Sequence, residues 1–185
     1  DWKQGLQMNR LVNILFDLRT PNNNCIFKLQ SGVCQIIRKY LLNLWVIEIH
    51  TPKLIPNSSE GCAQIFQVKY FDKLAYVAQS PQLYKQMCIN SDFDKDFEIG
   101  PVFRSENTNS HRHLTEFVGL DIEYSIRPNE TYYKISEILW GLIDQIIINL
   151  KREYHTEYDY LKNNYKFEEL AYTSEAIIIN FKDAV

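Results

Sequence analysis

No stretch of the chain approaches the ~18 consecutive apolar residues that a membrane span needs. The most apolar run, Ile143–Leu150, is broken by Asp144, Gln145 and Asn149 and reads as a packed helix. The cysteines Cys25, Cys34, Cys62 and Cys88 contain no CxxC pair, and no histidine lies near enough in sequence to complete a zinc motif. No metal ligands are therefore assigned, and reduced, half-buried thiols of an intracellular protein are expected. Asp1-Trp2-Lys3-Gln4 carries no apolar core of a secretory signal and no initiator methionine, so a processed or excised intracellular piece is expected. Low-complexity blocks and internal repeats are also missing. Charge of one sign is not in excess: 20 Lys and Arg stand against 23 Asp and Glu, a net charge of -3. A basic protein that coats nucleic acid is disfavoured, while a local basic patch stays open. What is present is ordinary globular composition, 45% hydrophobic and 23% charged over 185 residues. That length suits one domain or slightly more, and buries roughly 70% of the unfolded surface.

Residues 1–20 read as a connector with one short helical turn, closed by the turn or helix-start signal Thr20-Pro21-Asn22. From about Asn24, Phe27, Leu29, Val33, Ile36, Ile37, Tyr40 and Leu41 recur at helical spacing and predict a long helix. Val46–His50 alternates as a short strand, which Thr51-Pro52 ends. Ile65–Tyr70 and Lys73–Ala78 read as a hairpin turning at Phe71-Asp72. Ser80 is the expected N-cap, and Pro81 the first residue, of a helix carrying Leu83, Tyr84, Met87 and Cys88. Two strands follow, Phe97–Arg104 and Leu114–Ser125, joined by the polar loop Ser105–Arg112 as an antiparallel hairpin. Asn129 is the expected cap of a last long helix over 130–154. The tail 157–185 is ambiguous, with a possible strand at Ala176–Phe181. Long helices with an antiparallel sheet predict an α+β chain, the sheet flanked by helices.

The hairpin concentrates the chemistry. Arg104 and Glu106 share one face if the first strand continues through them. Phe117 and Asp121 project together from the returning strand, with Thr115, Gly119 and Glu123. The loop between carries His111, Arg112 and His113. A fixed guanidinium is a bidentate partner for phosphate or carboxylate. An aromatic ring stacks a nucleobase for ~1–3 kcal/mol. A carboxylate accepts from an exocyclic amine such as that of adenine, and basic loop residues can close over outer phosphates. The plainer alternative is a solvated hairpin with a charged tip.

The stretch Phe97–Tyr124, with its Phe-Arg-x-Glu strand, loop and returning strand, resembles motif 2 of the class II aminoacyl-tRNA synthetases. Gly100-Pro101-Val102-Phe103-Arg104-x-Glu106 and His111-Arg112-His113-Leu114-Thr115-Glu116-Phe117 are similar to the aspartyl-tRNA synthetases of the archaeal and eukaryotic cytosolic branch. Gln79–Gln86 resembles that family's amino-acid-binding helix. Phe27–Ile55 resembles motif 1, the dimer interface, with Pro52 at the interface.

The resemblance implies a class II synthetase catalytic core over residues 21–185, preceded by a hinge segment over 1–20. It is partial, because the Gly-rich third motif is absent and the tail after 155 contains no Gly. It implies an aspartate–tRNA ligase that uses ATP to form aspartyl-adenylate and passes the aspartyl group to tRNA(Asp). Such an enzyme would be a cytoplasmic homodimer with no membrane association, and this stretch alone would be nearly inactive. Arg104 would be the catalytic residue, on the α-phosphate and the substrate carboxylate. Glu106 would hold the adenine amine, Phe117 the purine, and His111, Arg112 and His113 the outer phosphates. Lys85 would pair with the side-chain carboxylate of aspartate. Gln82, Ser80 and Glu60 would line that pocket, with Glu60 and Asp121 near the ammonium. Mg2+ would also be used, with its ligands mostly in the missing C-terminal part. Trp45-Val46 stands where the family has Gly-Phe, so the turn after the first long helix is expected to be remodelled. A non-catalytic paralogue that binds nucleotide or a protein partner is the alternative.

Overall fold

The computed structural model of the chain describes residues 7–58, 65–105, 108, 110, 113–171, 173 and 175–184. In chain order its elements are α1 (Gln7–Val12), α2 (Ile14–Leu18), α3 (Pro21–Asn43), β1 (Ile47–Glu48), β2 (Leu54–Ile55), β3 (Gln67–Tyr70), β4 (Lys73–Val77), α4 (Gln82–Asn90), β5 (Lys95–Phe103), β6 (Glu116–Tyr124), α5 (Tyr133–Glu153), α6 (His155–Tyr165) and α7 (Phe181–Ala184). The chain divides into two compact units, Asp1–Tyr40 with Ser136–Val185, and Leu41–Ile135.

The first unit is helical. Two short helices, α1 and α2, stand where one turn was expected, and Arg10 Nε donates to Asp17 Oδ1 at 2.7 Å between them. Helix α3 begins at Pro21 rather than Asn24. The Thr20 carbonyl accepts the Asn24 N–H at 3.0 Å, and proline at the first helical position gives up only an N–H that would go unused. The apolar stripe of α3 buries Ile36 and Ile37, that of α5 buries Ile138 and Leu142, and α6 adds Leu161. Tyr40 Oη donates to the Ile138 carbonyl at 3.2 Å. Asn129 does not cap α5, which starts only at Tyr133. The side chain of Glu130 instead accepts the Arg127 N–H at 3.1 Å, holding the approach as a turn. No strand forms over Ala176–Phe181; α7 begins at its last residue. That segment has strand-forming composition, but a strand needs a partner to take its backbone hydrogen bonds.

The second unit holds two three-stranded sheets, ordered β1-β5-β6 and β2-β4-β3. Among the described residues every pairing is antiparallel except β1 with β5, which is parallel through Ile47↔Asp96 and Glu48↔Phe97. The α+β class expected from sequence is therefore observed, with one parallel edge added. Its buried residues include Leu41, Val46, Ile55, Ala75, Ala78, Phe97 and Val102. The β3–β4 hairpin turns at Phe71-Asp72, and Phe71 takes a φ of 52°, the left-handed region that two-residue hairpin turns usually fill with glycine or asparagine. Helix α4 starts one residue later than expected, with Pro81 rather than Ser80 at its cap.

The turn after α3 is not remodelled. Trp45 itself takes the left-handed conformation, at φ 58°. The Val46 N–H reaches the Leu41 carbonyl and the Trp45 N–H reaches the Leu42 carbonyl, both at 3.0 Å. This is the hydrogen-bond pattern with which a glycine-ended helix closes. Val46 and Leu41 are both buried, which supplies the apolar contact that accompanies such a cap and holds the strained residue in place.

Candidate functional site

Register decides which side chains meet. Across β5 and β6 the pairs are Asp96↔Glu123, Glu98↔Asp121, Gly100↔Gly119 and Val102↔Phe117. Alternation places all eight on one face of the hairpin. That face runs from a carboxylate-rich end, past two glycines, to an aromatic ring. The Arg104 N–H extends the pairing to the Thr115 carbonyl at 2.9 Å. Its guanidinium carbon lies 5.8 Å from the centroid of the Phe117 ring, within cation–π range.

The facing glycines keep the middle of this surface clear. A Cβ on Gly100 would lie 2.9 Å from Glu98 Oε1, and one on Gly119 would lie 3.1 Å from Val102 Cγ2. Phe117 and Asp121 are four residues apart on β6, about 13 Å at the usual strand rise.

Helix α4 lays Lys85 over the acidic end. Lys85 Nζ sits 3.3 Å from Asp121 Oδ1 and 3.4 Å from Glu123 Oε2, with its side chain only 4% exposed. Gln82 Nε2 donates to Glu123 Oε2 at 3.4 Å. Because Gln82 and Lys85 are three apart on a helix, both reach the same strand. Ser80, just before the helix, has a buried hydroxyl with no hydrogen-bond partner among the described residues.

A second cation stands on the segment after β1. Lys53 Nζ is 2.8 Å from Glu98 Oε1. Thr51 gives Glu98 two more bonds, Oγ1 to Oε2 at 2.6 Å and N–H to Oε1 at 3.0 Å. Burial by itself would raise the Glu98 pKa, but these donors outweigh it and hold the carboxyl below its ordinary range. Asp96 has no such support. Burial pushes it up to about 6, against the opposing pull of Lys85 and with a push from Glu123. Burial, and then the Asp96 charge, also raise the Cys88 thiol on α4.

The predicted residues Arg104 and Phe117 are thus brought together at one end, and Lys85, Asp121 and Gln82 at the other. His113 lies in an exposed loop, its Nδ1 2.6 Å from Ser110 Oγ, and Pro52 is exposed between β1 and β2. Glu60, Glu106, His111, Arg112 and Cys62 lie outside the described residues. Four side chains of this face were not singled out from sequence: Asp96, Glu98, Thr51 and Lys53. Asp96 and Glu98 carried a signal, since they alternate in phase with Gly100. Thr51 and Lys53 carried none, because their meeting with Glu98 spans 47 and 45 positions of chain.

Chemically, this face offers an exposed guanidinium beside a ring, a cleared strip, and a buried ammonium set between carboxylates. It suits an elongated ligand with an anionic and aromatic part at one end and a zwitterionic part at the other.

The family model for class II tRNA synthetases (D, K and N) matches residues 7–183. The human cytoplasmic aspartate–tRNA ligase is 45% identical over 179 residues, 97% of this chain and 35% of that protein. The cytoplasmic aspartate–tRNA ligase 1 of Dictyostelium discoideum is 47% identical over 96% of this chain and 31% of that protein. Among solved structures, the aspartyl-tRNA synthetase of Entamoeba histolytica superposes with a TM-score of 0.78 at 42% identity, covering 92% of this chain and 31% of that one. The asparaginyl-tRNA synthetase of Pyrococcus horikoshii, complexed with asparaginyl-adenylate, gives 0.78 at 29% identity over 87% of this chain and 38% of that one. The chain spans about a third of the length of the curated relatives it matches.

Proposed function

Since the chain belongs to the class II tRNA synthetases of the D, K and N group, we propose that the protein carrying it is an aspartate–tRNA ligase. It activates aspartate with ATP to aspartyl-adenylate, then transfers the aspartyl group to tRNA(Asp). In this reading residues 21–185 are part of the catalytic domain and 1–20 its hinge. The observation that carries the reading is the placement of Lys85 between Asp121 and Glu123 on the same sheet face as Arg104 and Phe117.

The chain's own residues would work by positioning and charge rather than covalent chemistry. Phe117 stacks the purine and Glu106 accepts from its exocyclic amine. Arg104 binds the α-phosphate and the substrate α-carboxylate, and stabilises the charge that grows as the carboxylate oxygen attacks phosphorus. His113, with His111 and Arg112, holds the outer phosphates. Lys85 pairs with the side-chain carboxylate of aspartate, Asp121 and Glu60 with its ammonium, and Gln82 and Ser80 complete the pocket. Asparagine would leave Lys85 opposite a neutral amide and lose a charge-assisted pair. No group of three or more His, Cys, Asp or Glu among the described residues is arranged to hold a metal ion. The reading includes a homodimer formed through motif 1, with Pro52 at its interface, and a cytoplasmic location. The relatives' names agree with that location, and no described helix is long and apolar enough to cross a membrane.

The test is ATP–pyrophosphate exchange by the natural protein that carries this chain. Exchange is expected with aspartate and far less with asparagine. Lys85→Ala should weaken aspartate by about a hundredfold and leave ATP nearly unchanged, the cost of losing a charged, desolvated partner. Phe117→Ala should do the reverse, weakening ATP by ~1–3 kcal/mol and sparing amino-acid selectivity. Nucleotide binding without any dependence on aspartate would favour a non-catalytic paralogue.

A further inference from the structure

Asp96 is anomalous on the face just described. It is fully buried, and neither carboxylate oxygen has a hydrogen-bond partner among the described residues. It stands directly across β5–β6 from Glu123, and like charges opposite one another in a sheet repel. A buried carboxylate without donors is costly, and an apolar residue would satisfy the packing without that cost. Among the described residues, the groups whose charge or register ties them to it can be named. Helix α4 contributes Lys85 and Cys88, β6 contributes Glu123, and β1 contributes its register partner Ile47. On its own strand Glu98 is already engaged by Lys53 and Thr51. Lys85 acts on Asp96 by charge, while its contacts go to Asp121 and Glu123.

We propose that Asp96 is a specificity-determining, positioning residue of the amino-acid subsite: its carboxyl is a proton-controlled counter-charge near Lys85, and an acidic substrate side chain binds best when that carboxyl is protonated. The inference rests on the reading of Lys85 as the partner of the aspartate side chain. With Asp96 neutral, Lys85 faces the two carboxylates in contact with it. With Asp96 ionised a third negative charge is added, and the substrate carboxylate must approach against it. Burial brings the carboxyl up to about 6, so its charge changes within the range where aspartate itself does not titrate. By linkage, aspartate favours the protonated form and its binding takes up protons near that pH. Asparagine brings no side-chain charge and is affected much less. Discrimination between the two acids therefore narrows as pH rises.

The experiment is calorimetric titration of aspartate into the natural protein from pH 5.5 to 8, in two buffers of different ionisation heat. Affinity is expected to fall about tenfold across that range, the equivalent of one pKa unit of coupling, with proton uptake centred near pH 6 to 7. Asp96→Asn should flatten the profile, abolish the uptake, and bind aspartate at pH 8 about as tightly as the native protein does at low pH. ATP affinity should be equal in the two proteins at every pH. An Asp96→Asn protein that keeps the native slope and proton uptake overturns the inference, as does an equal effect on ATP. Lys85→Ala separates the two readings. If it loses aspartate while Asp96→Asn keeps the native slope, only this inference fails. If it binds aspartate normally, the assignment of Lys85 fails first. Should Asp96→Asn not fold, carbon-13 NMR of the Asp96 carboxyl in the native protein serves instead. A midpoint near 6 that rises with aspartate supports the inference, and a midpoint in the ordinary aspartate range, or one that aspartate does not move, overturns it.

Discussion

Glu98 and Asp96 lie two residues apart on one strand, face the same way, and are 3% and 0% exposed. Their acidities nevertheless move in opposite directions. Glu98 receives an ammonium, a hydroxyl and a backbone N–H, all from the segment after β1. Asp96, one pleat further along, meets no hydrogen-bond donor among the described residues. Burial is common to both, so burial does not decide the ionisation of a carboxyl. The number of donors that the fold delivers to its oxygens decides it. Within the acidic end of the face, one carboxyl is thereby a fixed anion and its neighbour a group that changes charge near neutrality.

The sharpest way to break this contrast is to strip Glu98 of its ammonium. Lys53→Met should cost about 3 kcal/mol at pH 7, because it leaves a buried carboxylate without its charged partner. Glu98 has a depressed pKa when folded, so the stability it contributes is present above the ordinary glutamate pKa and lost as pH falls through the depressed value. The deficit of Lys53→Met should therefore shrink in acid, as urea unfolding at pH 7 and pH 3 would show.

Asp96 has the opposite linkage. Its pKa is raised on folding, so its ionisation is a penalty that is absent below the unfolded aspartate pKa and complete above about 6. Asp96→Asn should stabilise the protein by about 2 kcal/mol at pH 8, most of what a shift of that size represents. It should have little effect at pH 4. Unfolding curves at the two pH values check it, and a loss of stability at pH 8 would contradict the contrast. The smallest effect is expected from Thr51→Val. It removes one of the Glu98 hydrogen bonds and keeps the backbone N–H, for about 1 kcal/mol, with a modest rise in the Glu98 pKa measurable by NMR titration.

The sequence was most legible where a property depends on near neighbours. Alternation along β6 by itself puts Phe117, Gly119, Asp121 and Glu123 on one side, and the register bears this out. The long helices and the Phe71-Asp72 turn were visible for the same reason. Boundaries shifted where a distant partner or a cap intervened, as at Pro21, Asn129 and Ala176–Phe181. Trp45 is the sharpest local exception. Its composition argued against a left-handed cap, yet the buried pair Leu41 and Val46 holds it there.

Taken alone, the order of residues determined the class of fold, the kinship with class II synthetases, and the set of side chains that share the hairpin face. These follow from periodicity and from a contiguous motif, both short-range properties of a polymer. Only the tertiary structure decided that β1 runs parallel to β5, that Thr51 and Lys53 close on Glu98, and that Lys85 is shared between Asp121 and Glu123 while its charge also acts on Asp96. Charge and hydrogen bonding act through space over a few ångströms, and no local pattern in a chain records which distant groups folding will bring within that distance.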